Sequence, residues 1–183
     1  MEINYKGIPI LGFAAYSGTG KTTLLVKLVP LLRQRGLNVA VVKHAHHNFD
    51  TDQPGKDSYE LRKAGANQML VGSSRRSALI IEHERESEPG LLDLLPMLDT
   101  STINLILVEG FKSESFPKIE LHREALGRPL RCHNDPDIIA VASDTPLPSV
   151  KHIPLLDLNH ADEIADFTLS YIARPKQTVR AGA

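Results

Sequence analysis

The stretch Ala15 to Thr23 (AYSGTGKTT) combines residues with a definite chemistry. Gly18 and Gly20 permit a tight backbone turn, and Lys21 and Thr22 close it with an ammonium and a hydroxyl. A loop of this kind, dense in backbone N–H groups, holds nucleotide phosphates. The amides wrap the anion, the lysine reaches the β- and γ-phosphates, and the hydroxyl takes a position on Mg²⁺. The pattern sought is Gly, any four residues, then Gly-Lys-Ser/Thr. Ala15 stands at the first glycine, while Gly20, Lys21 and Thr22 fit. Alanine serves there if its φ is negative, since only glycine takes positive φ freely. Ser17, Gly18, Thr19, Gly20, Lys21, Thr22 and Thr23 are the nucleotide-binding candidates. A glycine turn before a capped helix is the bland alternative, and the flanking strand and helix argue against it.

Other polar residues sit where a strand is expected to end. Glu109 closes the apolar run Ile103–Val108, with Gly110 leaving room beside it. A carboxylate there suits Mg²⁺, a hard cation that prefers oxygen ligands and keeps several waters. Lys43 ends the run Val39–Val42, and Asp144 follows Ile138–Ala142. Asp50, Asp52 and Asp57 are candidates for a second metal carboxylate, Asp57 first and Asp50 next; a plain helix N-cap also accounts for Asp57. Asp144 offers two acceptor oxygens to the N1–H and amino group of guanine. A turn aspartate before Pro146 is an equal reading, and no Asn-Lys-x-Asp signature is present. His44, His46 and His47 have no cysteine nearby, and magnesium does not take imidazole, so they read as loop histidines facing phosphate or solvent. Arg75, Arg76, Arg123, Arg128 and Arg131 are either sites for a second anion or ordinary surface arginines.

The elements that must place these groups follow from periodicity. Ile8–Ala14 is a buried strand, Thr22–Arg35 a helix with leucines at 24, 25, 28, 31 and 32, and Val39–Lys43 a second strand. Pro30 is a flaw that predicts a kink. Strand, helix and strand with short connections make a right-handed parallel unit. A long polar loop from His44 to Gly55 leads to a short helix, Tyr59–Ala64. Strands at Asn67–Val71 and Ser77–Ile81 form a hairpin, followed by an acidic stretch, Glu82–Glu88. A short helix at Leu91–Leu98, strands at 103–108, 118–121, 138–142 and 153–156, and a closing helix Ala161–Ile172 complete the chain. This alternation predicts an α/β fold, a mostly parallel sheet with helices on both faces. Ligands of such sheets bind beyond the carboxyl ends of the strands, where Ser17–Thr22, Lys43, Glu109 and Asp144 all fall.

The length of 183 residues predicts one domain over 1–173, with 174–183 as a flexible tail. A formal net charge of −1 argues against a non-specific nucleic-acid or membrane surface. The single cysteine, Cys132, excludes an internal disulfide and fits a reducing cytoplasm. The N-terminus has no signal-peptide pattern, and no apolar run approaches the ~20 residues needed to span a bilayer.

Taken together, AYSGTGKTTL, VVKHAHHNFDTDQPGKDSYELRKAGA, LILVEGFK and IIAVASD resemble the molybdopterin-guanine dinucleotide biosynthesis protein B (MobB) family over residues 8–172. The histidine loop running into PGKDSYELRKAGA is more specific than the phosphate loop alone. The resemblance implies a P-loop NTPase-like fold and a GTP-binding homodimer with weak Mg²⁺-dependent GTPase activity. It further implies an accessory role to the MobA-type guanylyltransferase that joins GMP to molybdopterin, with molybdopterin itself a further partner. A wider likeness to dethiobiotin synthetase supports Glu109, Asp57 and Thr22 as Mg²⁺ contacts and sets Lys43 near the γ-phosphate. Lys21, Lys43 and Glu109 are then the catalytic candidates. No glutamine or arginine is evidently placed to assist hydrolysis, so slow turnover is expected. The alternative is an ATP-dependent small-molecule kinase or ligase of the dethiobiotin synthetase kind.

Overall fold

The computed structural model describes residues 4–45, 49–83 and 88–173; His46, His47, the middle of the acidic stretch and the tail 174–183 lie outside them. In chain order the elements are β1 (Asn4–Tyr5), β2 (Ile8–Ala15), α1 (Lys21–Gln34), β3 (Val39–Lys43), α2 (Asp57–Lys63), β4 (Gln68–Gly72) and β5 (Ser77–Ile81). They continue with α3 (Leu91–Leu94), β6 (Leu105–Glu109), β7 (Lys118–His122), β8 (Ile138–Ser143), β9 (Leu155–Asp157) and α4 (Ala161–Ile172). Of the described residues, those up to His44 and from Gly90 onward form one compact unit, and those between Ala45 and Pro89 form another.

The larger unit is built on a sheet of order β3-β6-β2-β7-β8-β9, every pair along it parallel. β1 adds an antiparallel edge to β2 through a two-residue turn, Lys6-Gly7, in which both φ are positive (52° and 83°). Positive φ at both centres matches the twist of a tight hairpin. Strands buried on both faces need apolar residues at successive positions, and β2 and β6 supply them. Leu11, Phe13, Leu105 and Leu107 face α1 and α4, whose Leu24, Leu25, Leu28, Leu32, Ile164 and Ala165 complete that core. Ile8, Ile10, Ile106 and Val108 face the other way, onto Leu91 and Leu95. Each such side chain contributes about 1.5–3 kcal/mol by burial. Gly12 is required at the centre, because a Cβ there would lie 2.3 Å from Cε2 of the buried Phe116 ring.

Three expectations shift. The strand read at 103–108 runs Leu105–Glu109, so Glu109 is a strand residue paired opposite Lys43. The helix read at 91–98 is α-helical only over Leu91–Leu94 and then narrows to a 3₁₀ turn, Leu95–Met97, where Pro96 lacks the N–H for a helical bond. α1, by contrast, runs through Pro30; the carbonyl that loses its donor belongs to Val26, an exposed residue on the outer face of the helix.

β7 looked weak in the sequence because Lys118, Glu120 and His122 interrupt it. All three are buried. The segment 123–137 covers that face and answers each charge. Lys118 pairs with Asp135 (3.6 Å) and Asp137 (3.7 Å), and Glu120 accepts the N–H groups of Arg131 (2.7 Å) and Cys132 (2.9 Å). Polar groups become affordable inside when hydrogen-bonded, so β7 is a central strand despite its composition. Burial, and then the Glu120 charge, raise the Cys132 thiol above its ordinary value, which leaves it unreactive.

In the smaller unit β4 and β5 form the expected antiparallel hairpin beside α2. Among the described residues no helix is long and apolar enough to cross a membrane.

Candidate functional site

β2 delivers the chain to the phosphate loop. Ala15, its last residue, is extended and not among the positive-φ residues, so the missing glycine costs nothing here. The loop then turns through Gly18 (φ 82°) and Gly20 (φ 96°), conformations a side chain would strain. Buried Thr19 ties the turn together, its hydroxyl donating to the Tyr16 carbonyl at 2.8 Å. The N–H of Leu24 is the first taken up by the helix, by the Gly20 carbonyl at 2.9 Å. The N–H groups of Lys21, Thr22 and Thr23 therefore have no intrahelical partner and stand at the positive end of the α1 dipole. Ser17, Gly18, Thr22 and Thr23 are exposed.

The parallel register brings Lys43 and Glu109 side by side at the carboxyl end of β3 and β6. Glu109 gathers two lysines, Oε1 lying 3.3 Å from Lys21 Nζ and Oε2 3.8 Å from Lys43 Nζ. Its backbone is fixed as well: the Glu109 carbonyl accepts the His44 N–H at 2.8 Å. The next two residues adopt backbone shapes that side chains resist, Gly110 at φ 98° and Phe111 at φ 50°. Phe111 is buried against the His44 ring, centroids 4.8 Å apart. Phe111 and Phe116 both belong to the core on that side of the sheet. Strain held in place by packing is common where a site must be rigid.

Two more strand ends, those of β7 and β8, join these. Arg123 follows β7 directly; its Nε donates to the Thr19 carbonyl (3.3 Å) and its Nη1 to Asp144 Oδ2 (3.1 Å). Asp144 Oδ1 accepts the Glu124 N–H at 3.0 Å, so both oxygens of that carboxylate have partners within the chain. Tyr16 lies under two guanidiniums, Arg131 at 4.5 Å and Arg128 at 5.7 Å. Burial, then the charges of Arg131 and Lys21, push the Lys112 ammonium below its ordinary value. Cations thus outnumber carboxylates around the loop, as a polyphosphate would require. Sequence reasoning left Arg123 among scattered arginines; the strand-end rule that singled out Glu109 and Asp144 applies to it equally.

Asp50 and Asp57 belong to the smaller unit. Asp50 and Asp52 pair with buried Arg62 (2.6 and 3.7 Å), which also binds Glu82. The Asp52 N–H, and then Arg62, hold the Asp50 carboxyl below its ordinary value. Asp57 opens α2 without capping it: no side chain caps that helix, whose first turn it shares with Glu60. Of the oxygens expected to hold Mg²⁺, the Thr22 hydroxyl and the Glu109 carboxylate lie in the larger unit, at the loop and at the strand end. Among the described residues no group of three or more His, Cys, Asp or Glu could hold a metal unaided. One hydroxyl and one carboxylate fit Mg²⁺, which draws its remaining ligands from phosphates and water, and do not fit a transition metal.

The family model of molybdopterin guanine dinucleotide synthesis protein B (MobB) matches residues 10–144. A relative from Escherichia coli described as molybdopterin-guanine dinucleotide biosynthesis adapter protein is 51% identical over 168 residues, 91% of this chain and 95% of its own. One of the same description from Haemophilus influenzae is 43% identical over 166 residues, 90% of each. A crystal structure of molybdopterin-guanine biosynthesis protein B superposes with a TM-score of 0.69 at 28% identity, covering 89% of this chain and 98% of that one.

Proposed function

The chain belongs to the MobB family, and on that premise we propose that it is a GTP-binding adapter of molybdopterin guanine dinucleotide synthesis. One observation carries the nucleotide reading. Lys21, at the start of α1, and Lys43, at the end of β3, meet on the single carboxylate of Glu109 beside helix-start amides that have no intrahelical partner. Two ammonium groups and a ring of N–H donors are matched to a chain of phosphates. The guanine in the name of the relatives' product favours GTP over ATP.

Thr22 and Glu109 would hold Mg²⁺, which supplies charge neutralisation on the phosphates when bound. The loop amides orient the phosphates, and Lys21 and Lys43 carry positive charge to the β–γ end. Among the described residues at these strand ends there is no glutamine to position an attacking water, so hydrolysis is slow, and the nucleotide serves presentation more than turnover. The partner is a MobA-type guanylyltransferase, and the protein acts as a homodimer in the cytoplasm.

Titration with GTP and ATP in Mg²⁺ tests the reading. Wild-type protein binds GTP more tightly than ATP, and Lys21→Ala abolishes binding. Unchanged affinity in that variant removes the phosphate-loop assignment. A preference for ATP with acceptor-dependent turnover replaces the adapter by a kinase or ligase.

A further inference from the structure

Arg123 is set on a stiff base. It follows a strand whose two faces are both buried, and the segment after it is anchored by Glu120 through the amides of Arg131 and Cys132. Its guanidinium is oriented on two sides: Nη1 by Asp144 at 3.1 Å, Nε by the Thr19 carbonyl at 3.3 Å. Asp144 in turn is held by the Glu124 N–H. The third nitrogen, Nη2, lies 3.8 Å from where a Cβ would stand on Gly20, the residue before Lys21. Nη2 donates to no group among the described residues. A guanidinium stays charged at every accessible pH and binds phosphate with a planar fork, so an open nitrogen over this loop is a donor in waiting.

We propose that Arg123 is a phosphate-binding residue of the loop, its Nη2 donating to the bound polyphosphate, and that Asp144 is the positioning residue that aims it. This rests on the nucleotide reading above, and gives Asp144 a role other than recognising the base. The two roles separate cleanly. A base reader distinguishes GTP from ATP and is silent toward an anion that has no base. A residue that aims Arg123 affects every ligand that carries the phosphates.

The experiment measures binding of GTP, ATP and inorganic tripolyphosphate, in Mg²⁺ and at several salt concentrations, with apo melting temperatures as a check on folding. A hydrogen bond to a charged group implies that Arg123→Ala weakens all three ligands by about 10- to 100-fold. Arg123→Gln retains a donor able to reach Thr19 but lacks the charge. It should lose affinity to a similar degree and show a shallower salt dependence, with Arg123→Lys recovering part of the loss. Asp144→Asn should weaken the three ligands alike. If Arg123→Gln binds tripolyphosphate with wild-type affinity and salt dependence, Arg123 only braces the loop and the inference is overturned. Loss of GTP affinity alone in Asp144→Asn overturns the positioning role. Absence of tripolyphosphate and GTP binding by the wild-type protein, or no effect of Lys21→Ala, overturns the nucleotide reading itself.

Discussion

Gly110→Ala isolates the strain on which the site is built. The perturbation has two separable costs. At φ 98° a Cβ meets the left-handed penalty, about 1–2 kcal/mol. That Cβ would also lie 2.6 Å from the His44 Cβ, an overlap neither backbone can easily yield, because the His44 N–H is bonded to the Glu109 carbonyl. Overpacking of this kind costs about 1–3 kcal/mol. The sum, about 2–5 kcal/mol, lowers the melting temperature by roughly 4–20 °C for a chain of this size. Urea unfolding followed by far-ultraviolet circular dichroism measures it. His44→Gly removes the opposing Cβ, at its own cost of about 0.5–1 kcal/mol in flexibility plus the ring contact with Phe111. In the double-mutant cycle the overlap term then appears as a favourable coupling of about 1–3 kcal/mol, while the φ term remains. Because Glu109 precedes the strained pair, Gly110→Ala should also weaken GTP binding. A single variant within about 0.5 kcal/mol of the parent, or a cycle without coupling, refutes the reasoning.

Further outcomes follow from other contacts. Glu109→Gln frees Lys21 and Lys43 from their shared carboxylate, so tripolyphosphate binding in EDTA tightens while the gain on adding Mg²⁺ is lost; an unaltered Mg²⁺ response would remove Glu109 from the metal set. Its effect on stability is small, about 0–1 kcal/mol, as for other partly exposed ion pairs. Gly12→Ala drives a Cβ into the Phe116 ring and costs about 1–3 kcal/mol, seen as a lower urea midpoint at unchanged slope and partly recovered with Phe116→Leu. Asp50 is held low in the folded state, so its contribution to stability is complete above its unfolded value of about 3.9 and is lost as pH falls through the lower folded value. Carboxyl-detected NMR should find its midpoint below 3.8, rising toward that value in Arg62→Gln.

What the sequence determined by itself was local. The apolar runs of β2, β3, β6 and β8, the leucine stripe of α1 and the closing helix α4 each announce their element by period, and a glycine-rich turn closed by lysine announces phosphate. Parallel order then places the strand ends, with Lys43, Glu109 and Asp144, along one edge. Pairing across that edge was decided only in three dimensions. That Glu109 bridges two lysines depends on the β3–β6 register, and a shift of one residue would turn its side chain to the other face. That Arg123 reaches Thr19 depends on β7 lying between β2 and β8, a position its polar composition concealed. Lys118, Glu120 and His122 look like a solvated face until a covering segment supplies their partners, since burial of charge depends on neighbours distant in the chain. The phosphate loop is thus a local property of the chain, and the cations and carboxylates around it are a property of the sheet.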